Sequence, residues 1–75
     1  MMKLYTKPGC LDCEVAEARL KEAGFEFEVV LCDTVADQTA LARITGAQVF
    51  PVLEQNGLIF SGDDVLIAIE EGELE

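Results

Sequence analysis

The chain of 75 residues contains no histidine, no tryptophan and only five basic residues against fifteen acidic ones. Without histidine, it lacks the side chain that most often acts as a general base or a metal ligand near neutral pH. Its basic residues are scattered, whereas a protein that binds a phosphate backbone needs them clustered. The formal net charge of −10 therefore argues against a nucleic-acid-binding protein. The acidity either simply keeps the protein in solution or selects partners, by repelling anionic ones and attracting cationic ones.

Long apolar runs are also missing, since none approaches the ~18 residues that a membrane-spanning helix requires. The first residues do not have the pattern of a secretory signal. We therefore expect a cytoplasmic protein, not bound to a membrane, in a compartment that keeps thiols reduced. Because 51% of the residues are apolar, we expect one folded domain over residues 1–75, and we expect it to be a monomer. No P-loop or dinucleotide-binding glycine motif is present, so we expect no bound cofactor and no resident metal.

Two of the three cysteines, Cys10 and Cys13, lie three positions apart at the start of a predicted helix. Only a thiolate attacks a disulfide, and the free N–H groups of a helix start favour a negative charge there. We therefore expect Cys10 to be the exposed nucleophile and Cys13, one turn inward on the apolar face, to be the shielded resolving thiol. Lys7 should lower the pKa of Cys10 further. The carboxylates of Asp12 and Glu14 should oppose that effect.

Two other interpretations of the cysteine pair are open. A zinc or iron–sulfur site needs about four ligands, and Cys32 is the only further cysteine. A metal or cluster carrier would therefore have to share Cys10 and Cys13 between two chains. A purely structural disulfide would close too short a loop to stabilise the fold much. Cys32 itself is expected to be a small buried residue, and the alternative is a regulatory or dimer-forming thiol.

The hydrophobic pattern predicts an α/β protein with the order β-α-β-α-β-β-α, in which three helices cover a mixed four-stranded sheet. Glycines at positions 24, 46 and 72 follow the predicted helices, where a left-handed residue commonly ends a helix. Asn56-Gly57 predicts a two-residue hairpin turn, so the last two strands should be antiparallel. The first two should be parallel, because a right-handed crossover joins them. The predicted strands cover residues 2–6, 25–31, 52–55 and 58–60. The predicted helices cover residues 10–23, 34–45 with Thr34 as the cap, and 65–71, with residues 73–75 frayed.

Two further segments have a structural and a functional interpretation. Pro51 is either an ordinary edge-strand proline or a cis-proline. A cis bond would leave the backbone of Phe50 unpaired beside Cys10 and able to pair with an extended peptide. In Gly62-Asp63-Asp64, Asp63 either caps the last helix, or the segment binds a ligand's carboxylate at the helix start. The aspartates could instead hold a ligand's amino group.

In three segments the chain resembles the glutaredoxin branch of the thioredoxin superfamily. They are Leu4-Tyr5-Thr6-Lys7-Pro8-Gly9-Cys10-Leu11-Asp12-Cys13, then Thr45-Gly46 with Val49-Phe50-Pro51-Val52, and finally Ser61-Gly62-Asp63-Asp64. The resemblance implies a thioredoxin-like fold with the strand order 2-1-3-4, in which the third strand is antiparallel to the first. It also implies a thiol–disulfide oxidoreductase whose catalytic residues are Cys10, Cys13 and the cis-proline Pro51.

The resemblance also implies how substrates and electron donors would bind. In members that use glutathione, the positions that contact it correspond here to Lys7, Gln38, Phe50, Gly62, Asp63 and Asp64. This sequence departs from the family pattern in having Leu11 and Asp12 between the cysteines and Phe50 before the proline. The Ser61-Gly62 pair also resembles redoxins that donate electrons to ribonucleotide reductase and are reduced by a thioredoxin reductase. The implied partners are disulfide-containing proteins, with glutathione or a thioredoxin reductase as the electron donor.

Overall fold

A computed structural model describes residues 2–75 and confirms the predicted element order. Met1 lies outside the described residues, so the single domain over residues 1–75 stays a prediction. None of the helices in residues 2–75 is long and apolar enough to cross a bilayer. The strands are β1 (Met2–Thr6), β2 (Phe27–Leu31), β3 (Val52–Gln55) and β4 (Leu58–Ser61). The helices are α1 (Leu11–Glu22), α2 (Val35–Thr45) and α3 (Asp63–Glu70).

The four strands form one mixed sheet in the order β2-β1-β3-β4, as the resemblance implied. β1 is parallel to β2 and antiparallel to β3, and β3 and β4 form an antiparallel hairpin. Asn56 and Gly57 both have positive φ angles, 52° and 83°, which a tight hairpin turn requires at its two central residues. β2 and β4 are therefore the edge strands, and the strand that leads to the cysteine pair is central.

The sheet separates two clusters of buried apolar residues, because successive side chains of a strand point to opposite faces. Leu4 and its cross-strand partner Leu53 lie on the face covered by α1 and α3, whereas Tyr5 and its partner Val52 lie on the face covered by α2. The cluster under α1 and α3 consists of Met2, Leu4, Ala16, Leu20, Leu53 and Val65. The cluster under α2 consists of Cys32, Leu41 and Val52.

Strand β2 begins two residues later than predicted, because of the way in which α1 ends. The N–H of Gly24 donates to the carbonyl of Lys21 at 3.1 Å, and the N–H of Phe25 donates to the carbonyl of Leu20 at 3.1 Å. These two bonds, with Gly24 at a φ of +83°, form the motif that closes a helix at a left-handed glycine. Since the amide of Phe25 is used to end the helix, β2 starts at residue 27 and not at residue 25.

The expectation that residues 73–75 are frayed was wrong. The Gln55 side chain exchanges two hydrogen bonds with the backbone of Glu75, one from Nε2 to the carbonyl (2.9 Å) and one from the Glu75 N–H to Oε1 (2.8 Å). Leu74 packs against the cluster under α1 and α3, and Asn56 also hydrogen-bonds the Glu75 carboxylate. The segment is held in place because the buried Gln55 side chain satisfies the N–H and C=O of Glu75, as a neighbouring strand would.

Candidate active site

The cysteine pair lies at the start of α1, at the end of the sheet where β1 stops. Cys10 is the N-cap residue rather than the first helical residue, and it forms a disulfide with Cys13 across a Cα–Cα distance of 5.3 Å. The backbone N–H of Cys13 also points at the sulfur of Cys10, with an N···Sγ distance of 3.2 Å. Cys13 is only 2% exposed, whereas Cys10 is half-buried and open on one side. Only Cys10 is therefore accessible to another molecule.

The turn before the helix explains why Cys10 occupies this position. Pro8 and Gly9 follow β1 directly, and Gly9 has a φ of +72°, which a residue with a side chain rarely adopts. The turn delivers Cys10 to the N-cap, where the first-turn N–H groups of α1 have no backbone partner. A sulfur at this position accepts one of these N–H groups and lies at the positive end of the helix dipole. The arrangement can stabilise a thiolate when the disulfide is reduced.

A groove of about 290 Å³ brings together three of the predicted binding residues, Lys7, Gln38 and Phe50. The Lys7 ammonium lies 5.6 Å from the centroid of the Phe50 ring, within the range of a cation–π interaction. Gln38 donates from Nε2 to the carbonyl of Cys32 at 3.1 Å, so part of its amide is already engaged. The rest of the lining consists of Val35, Thr39, Ala42, Ala47 and Gln48. Cys10, Cys13 and Pro51 do not line this groove. We call it the active-site groove because Lys7 and Phe50 are close in sequence to Cys10 and Pro51.

Pro51 follows a cis peptide bond, as predicted, and is buried. The register that pairs Tyr5 with Val52 places Pro51 beside the end of β1, from which residues 7–9 lead to Cys10. Within residues 2–75, the backbone N–H and C=O of Phe50 make no hydrogen bond. This backbone is therefore free to pair with another chain.

The start of α3 is attached to the cis-proline segment but does not line the active-site groove. The N–H of Gly62 donates to the carbonyl of Pro51 at 2.8 Å. Gly62 has a φ of +59°, and a Cβ at this position would lie 3.2 Å from Cγ1 of Val49, so only glycine fits without strain. Asp63 and Asp64 are exposed residues of the first helical turn. Gly62 is the N-cap, and no side chain caps the helix, so the interpretation of Asp63 as an ordinary cap was wrong.

The sequence analysis missed several groove residues. Val35, Thr39 and Ala42 follow the spacing of one helix face together with Gln38, so helical periodicity around Gln38 could have identified them. Ala47 and Gln48 lie in the irregular segment before the cis-proline. Their positions depend on how that segment folds back on the sheet, and no local pattern in the sequence indicates this.

Cys32, the third cysteine, lies just beyond β2 with a free thiol and is 5% exposed. Its N–H donates to the carbonyl of Thr6 at 2.7 Å. Burial raises the pKa of this thiol, and the carboxylates of Asp37 and Asp33 raise it further, so Cys32 is not a ready nucleophile. This agrees with the prediction of a small buried residue. Within residues 2–75, no group of three or more cysteine, aspartate or glutamate side chains is placed to hold a metal ion.

Comparison with known sequences identifies relatives of this chain. The family model described as Glutaredoxin matches residues 2–60. The glutaredoxin-like protein NrdH of Salmonella typhimurium is 34% identical over 59 residues, which cover 79% of this chain and 73% of the relative. The family-model match includes the cysteine pair, the active-site groove and the cis-proline.

Comparison with solved structures gives the same family and the same fold. The structure of the glutaredoxin-like protein NrdH-redoxin from Escherichia coli, described as having a thioredoxin-like activity profile, superposes with a TM-score of 0.75. It is 26% identical, and the superposition covers 93% of this chain and 91% of that one. A buckwheat glutaredoxin–glutathione complex gives a TM-score of 0.80 at 23% identity, covering 97% of this chain and 71% of that one. At this identity, the buckwheat protein shows a shared fold only.

Proposed function

This chain belongs to the glutaredoxin family of thiol–disulfide oxidoreductases, and we propose that it reduces disulfides in protein substrates through Cys10 and Cys13. The observation that carries this proposal is the unequal exposure of the two bonded cysteines at one helix start. Cys10 can be reached from solvent and accepts a backbone N–H, whereas Cys13 is buried one turn inward. Such a pair can capture a substrate on one sulfur and release it with the other.

The proposed reaction has two exchange steps. The thiolate of Cys10 attacks one sulfur of the substrate disulfide, forming a mixed disulfide and releasing the other substrate sulfur as a thiolate, which takes up a proton. Cys13 then loses its proton and attacks Cys10, which releases the second substrate thiol. Two electrons have passed to the substrate, and Cys10 and Cys13 are left bonded, as they are in the structure. An external donor must supply two electrons to restore the dithiol.

We propose that the free backbone of Phe50 orients the substrate. An extended peptide beside Cys10 can pair with the N–H and C=O of Phe50 by β-strand addition. Pro51 sets the direction of that backbone and contributes no N–H of its own. The substrate disulfide would then be placed against Cys10 without requiring a particular side chain, which suits an enzyme that acts on several proteins.

For the electron donor, we propose a flavoprotein of the thioredoxin reductase type rather than glutathione. Glutathione is an anion, and this chain carries a net charge of −10. Asp63 and Asp64 add two exposed carboxylates where glutathione would be held at the start of α3. The thioredoxin-like activity profile described for the E. coli NrdH-redoxin supports the same choice. The cytoplasmic location and the monomeric state stay predictions.

Cysteine variants test the dithiol mechanism. Cys10→Ser should abolish reduction of insulin disulfides, because serine cannot form the mixed disulfide. Cys13→Ser should still attack substrates but fail to release them, so a covalent protein adduct should accumulate and be visible by mass spectrometry. Cys32→Ser serves as the control and should retain most of the activity. Full turnover by Cys10→Ser would refute the proposal.

The choice of donor is tested by measuring turnover with each reductant at equal enzyme concentration. The rate with NADPH and thioredoxin reductase should exceed the rate with glutathione and its reductase by about tenfold or more, which corresponds to about 1.4 kcal/mol. Asp63→Asn combined with Asp64→Asn should narrow this difference by raising the glutathione-dependent rate. A faster rate with glutathione would assign the Lys7–Gln38–Phe50 groove to glutathione instead.

A further inference from the structure

A second groove, of about 340 Å³, lies between α2 and the edge strand β2. It runs along the flank of α2 opposite the active-site groove, since residues 37, 40, 41 and 44 project about half a turn away from residues 35, 38, 39 and 42. Asp37 is the only charged residue in its lining. That lining consists of Tyr5, Val30, Leu31, Cys32, Asp37, Ala40, Leu41 and Ile44. We call it the β2–α2 groove.

The rim of the β2–α2 groove leaves apolar surface in water. Ile44 is 83% exposed on the helix side. On the strand side, Val30 is half-buried and lies on the α2 face with its cross-strand partner Tyr5. Between them, Leu41 is the only buried residue of α2. Covering such a surface is favourable because it removes apolar area from water. An apolar side chain that enters between Ile44 and Val30 would gain this stabilisation.

The charges around the β2–α2 groove indicate what kind of molecule fits it. Asp37 lies in the lining, and Asp37 and Asp33 both act on the Cys32 thiol there and raise its pKa. Strand alternation puts Glu28 on the same face of β2 as Val30, but its cross-strand partner there is Lys3, so this pair adds no net charge. No lysine or arginine lines the groove. The site is therefore apolar in its centre and anionic at its rim, so it attracts a cationic partner. A second copy of this chain, with a net charge of −10, would be repelled.

We propose that the β2–α2 groove docks a segment of a partner protein in which an aliphatic or aromatic side chain is flanked by lysine or arginine. The apolar side chain enters between Val30 and Ile44, and the basic groups lie near Asp33 and Asp37. The groove and its charges do not involve Cys10 or Cys13. The docking site is therefore independent of the proposed redox chemistry and can be tested without measuring activity.

The probe is a capped peptide with a central Trp-Leu pair and two lysines on each side. Because the chain contains no tryptophan, the fluorescence of the peptide reports binding to the full-length disulfide form directly. Amide ¹H–¹⁵N shifts map the binding site and should change most at residues 30–32 and 40–44. A control peptide with glutamate in place of lysine should bind at least about tenfold more weakly, because its charges repel the rim.

Two matched alanine variants separate docking in the groove from general attraction to an acidic protein. Ala40→Arg fills the groove and repels the peptide, so it should weaken binding about tenfold, or 1.4 kcal/mol. Ala18→Arg makes the same change of charge in α1, on the other side of the sheet, and should weaken binding by less than about threefold. Both positions are exposed and arginine is a good helix former. Ile44→Ser, which removes apolar surface without changing the charge, should also weaken binding.

Several results would overturn the proposal. Equal losses for Ala40→Arg and Ala18→Arg would show that only net charge matters. Shifts confined to Lys7, Gln38 and Phe50 would place the peptide in the active-site groove. Equal binding of the glutamate peptide would remove the charge argument. Amide shifts at residues 40–44 that depend on protein concentration, with no peptide present, would make a second copy of the chain the occupant.

Discussion

The side of the sheet that faces α1 and α3 is closed, whereas the side that faces α2 is open along both flanks of the helix. Under α1 and α3, Leu4, Leu20 and Val65 are fully buried. Under α2, Leu41 is the only buried residue that the helix contributes, and a groove runs along each of its flanks. The difference teaches that most of the buried core lies under α1 and α3. The surfaces that we propose for partner recognition lie along α2 and at the cis-proline segment, on the more open side.

The amino-acid sequence explains why the two sides differ. In α1, Cys13, Ala16 and Leu20 are spaced three and four apart, so one face carries all the buried residues. Ala16 is small enough for the helix to approach the sheet closely. In α2, Val35 and Ile44 are strongly exposed, so much of the apolar surface of that helix does not face the sheet. Residues 44–53 also contain no charged side chain. The segment before Pro51 therefore lacks the negative charge that repels anionic molecules elsewhere on the surface.

Matched truncations of one leucine on each side test this comparison and should give the largest change. Leu20→Ala should lower the free energy of unfolding by about 4 kcal/mol, because it leaves a closed cavity in addition to losing apolar burial. Leu41→Ala should cost about 2 kcal/mol, since its site adjoins an open groove and little of the lost volume becomes a sealed void. Urea unfolding of the disulfide forms measures both values. A loss for Leu41→Ala equal to that for Leu20→Ala would mean that the two sides are equally closed.

The C-terminal segment offers a smaller test, because it adds to the closed side. Gln55 lies on the same face of β3 as Leu53 and holds the backbone of Glu75 by two hydrogen bonds. Gln55→Met keeps the length of the side chain but removes both bonds, and it should lower the free energy of unfolding by about 1 kcal/mol. Amide hydrogen exchange should become faster at Glu75, while the amides of α2 should be unaffected. Unchanged exchange at Glu75 would show that the packing of Leu74 alone holds the segment.

The order of helices and strands could be predicted from local signals in the sequence, whereas the order of the strands in the sheet came from the family resemblance. The glycines that end the helices, the Asn56-Gly57 turn and the alternation in β1 each depend on neighbouring residues only. The errors occurred where a distant residue decides the outcome. The ordering of residues 73–75 depends on Gln55, twenty positions earlier, and the end of α1 uses the amide of Phe25 that was predicted to start a strand. Neither the Gln55–Glu75 hydrogen bonds nor the bond from Phe25 to Leu20 produces a periodic pattern in the sequence.

The structure agrees with the sequence on where several site residues lie, and the roles of these residues stay predictions. Cys10 and Cys13 meet at a helix start, and Pro51 follows a cis bond, as the family resemblance implied. Lys7, Gln38 and Phe50 line one groove. The sequence did not indicate that the Gln38 amide donates a hydrogen bond to the carbonyl of Cys32. It also did not indicate that Asp63 and Asp64 lie outside the active-site groove. Those facts depend on how α2 and α3 are placed on the sheet, which is a matter of tertiary packing.

The smallest expected effect is on the pH dependence of stability. The two sides differ here because the cluster under α2 contains one titratable residue, Cys32, whereas the cluster under α1 and α3 contains none. Burial and the carboxylates of Asp37 and Asp33 raise the pKa of Cys32 in the folded state. The folded protein therefore holds this proton more tightly than the unfolded chain does. The resulting stability is fully present below the ordinary cysteine pKa of 9.0 and is lost as the pH rises through the folded pKa.

In the disulfide form, where Cys32 is the only free thiol of the three cysteines, the free energy of unfolding should fall more steeply above pH 9 than in Cys32→Ala. Leu20→Val, which lowers stability without removing an ionisable group, should keep the steeper slope. Parallel profiles for Cys32→Ala and the unmodified protein would mean that the thiol is solvated and that the side of the sheet under α2 is more open than its burial indicates.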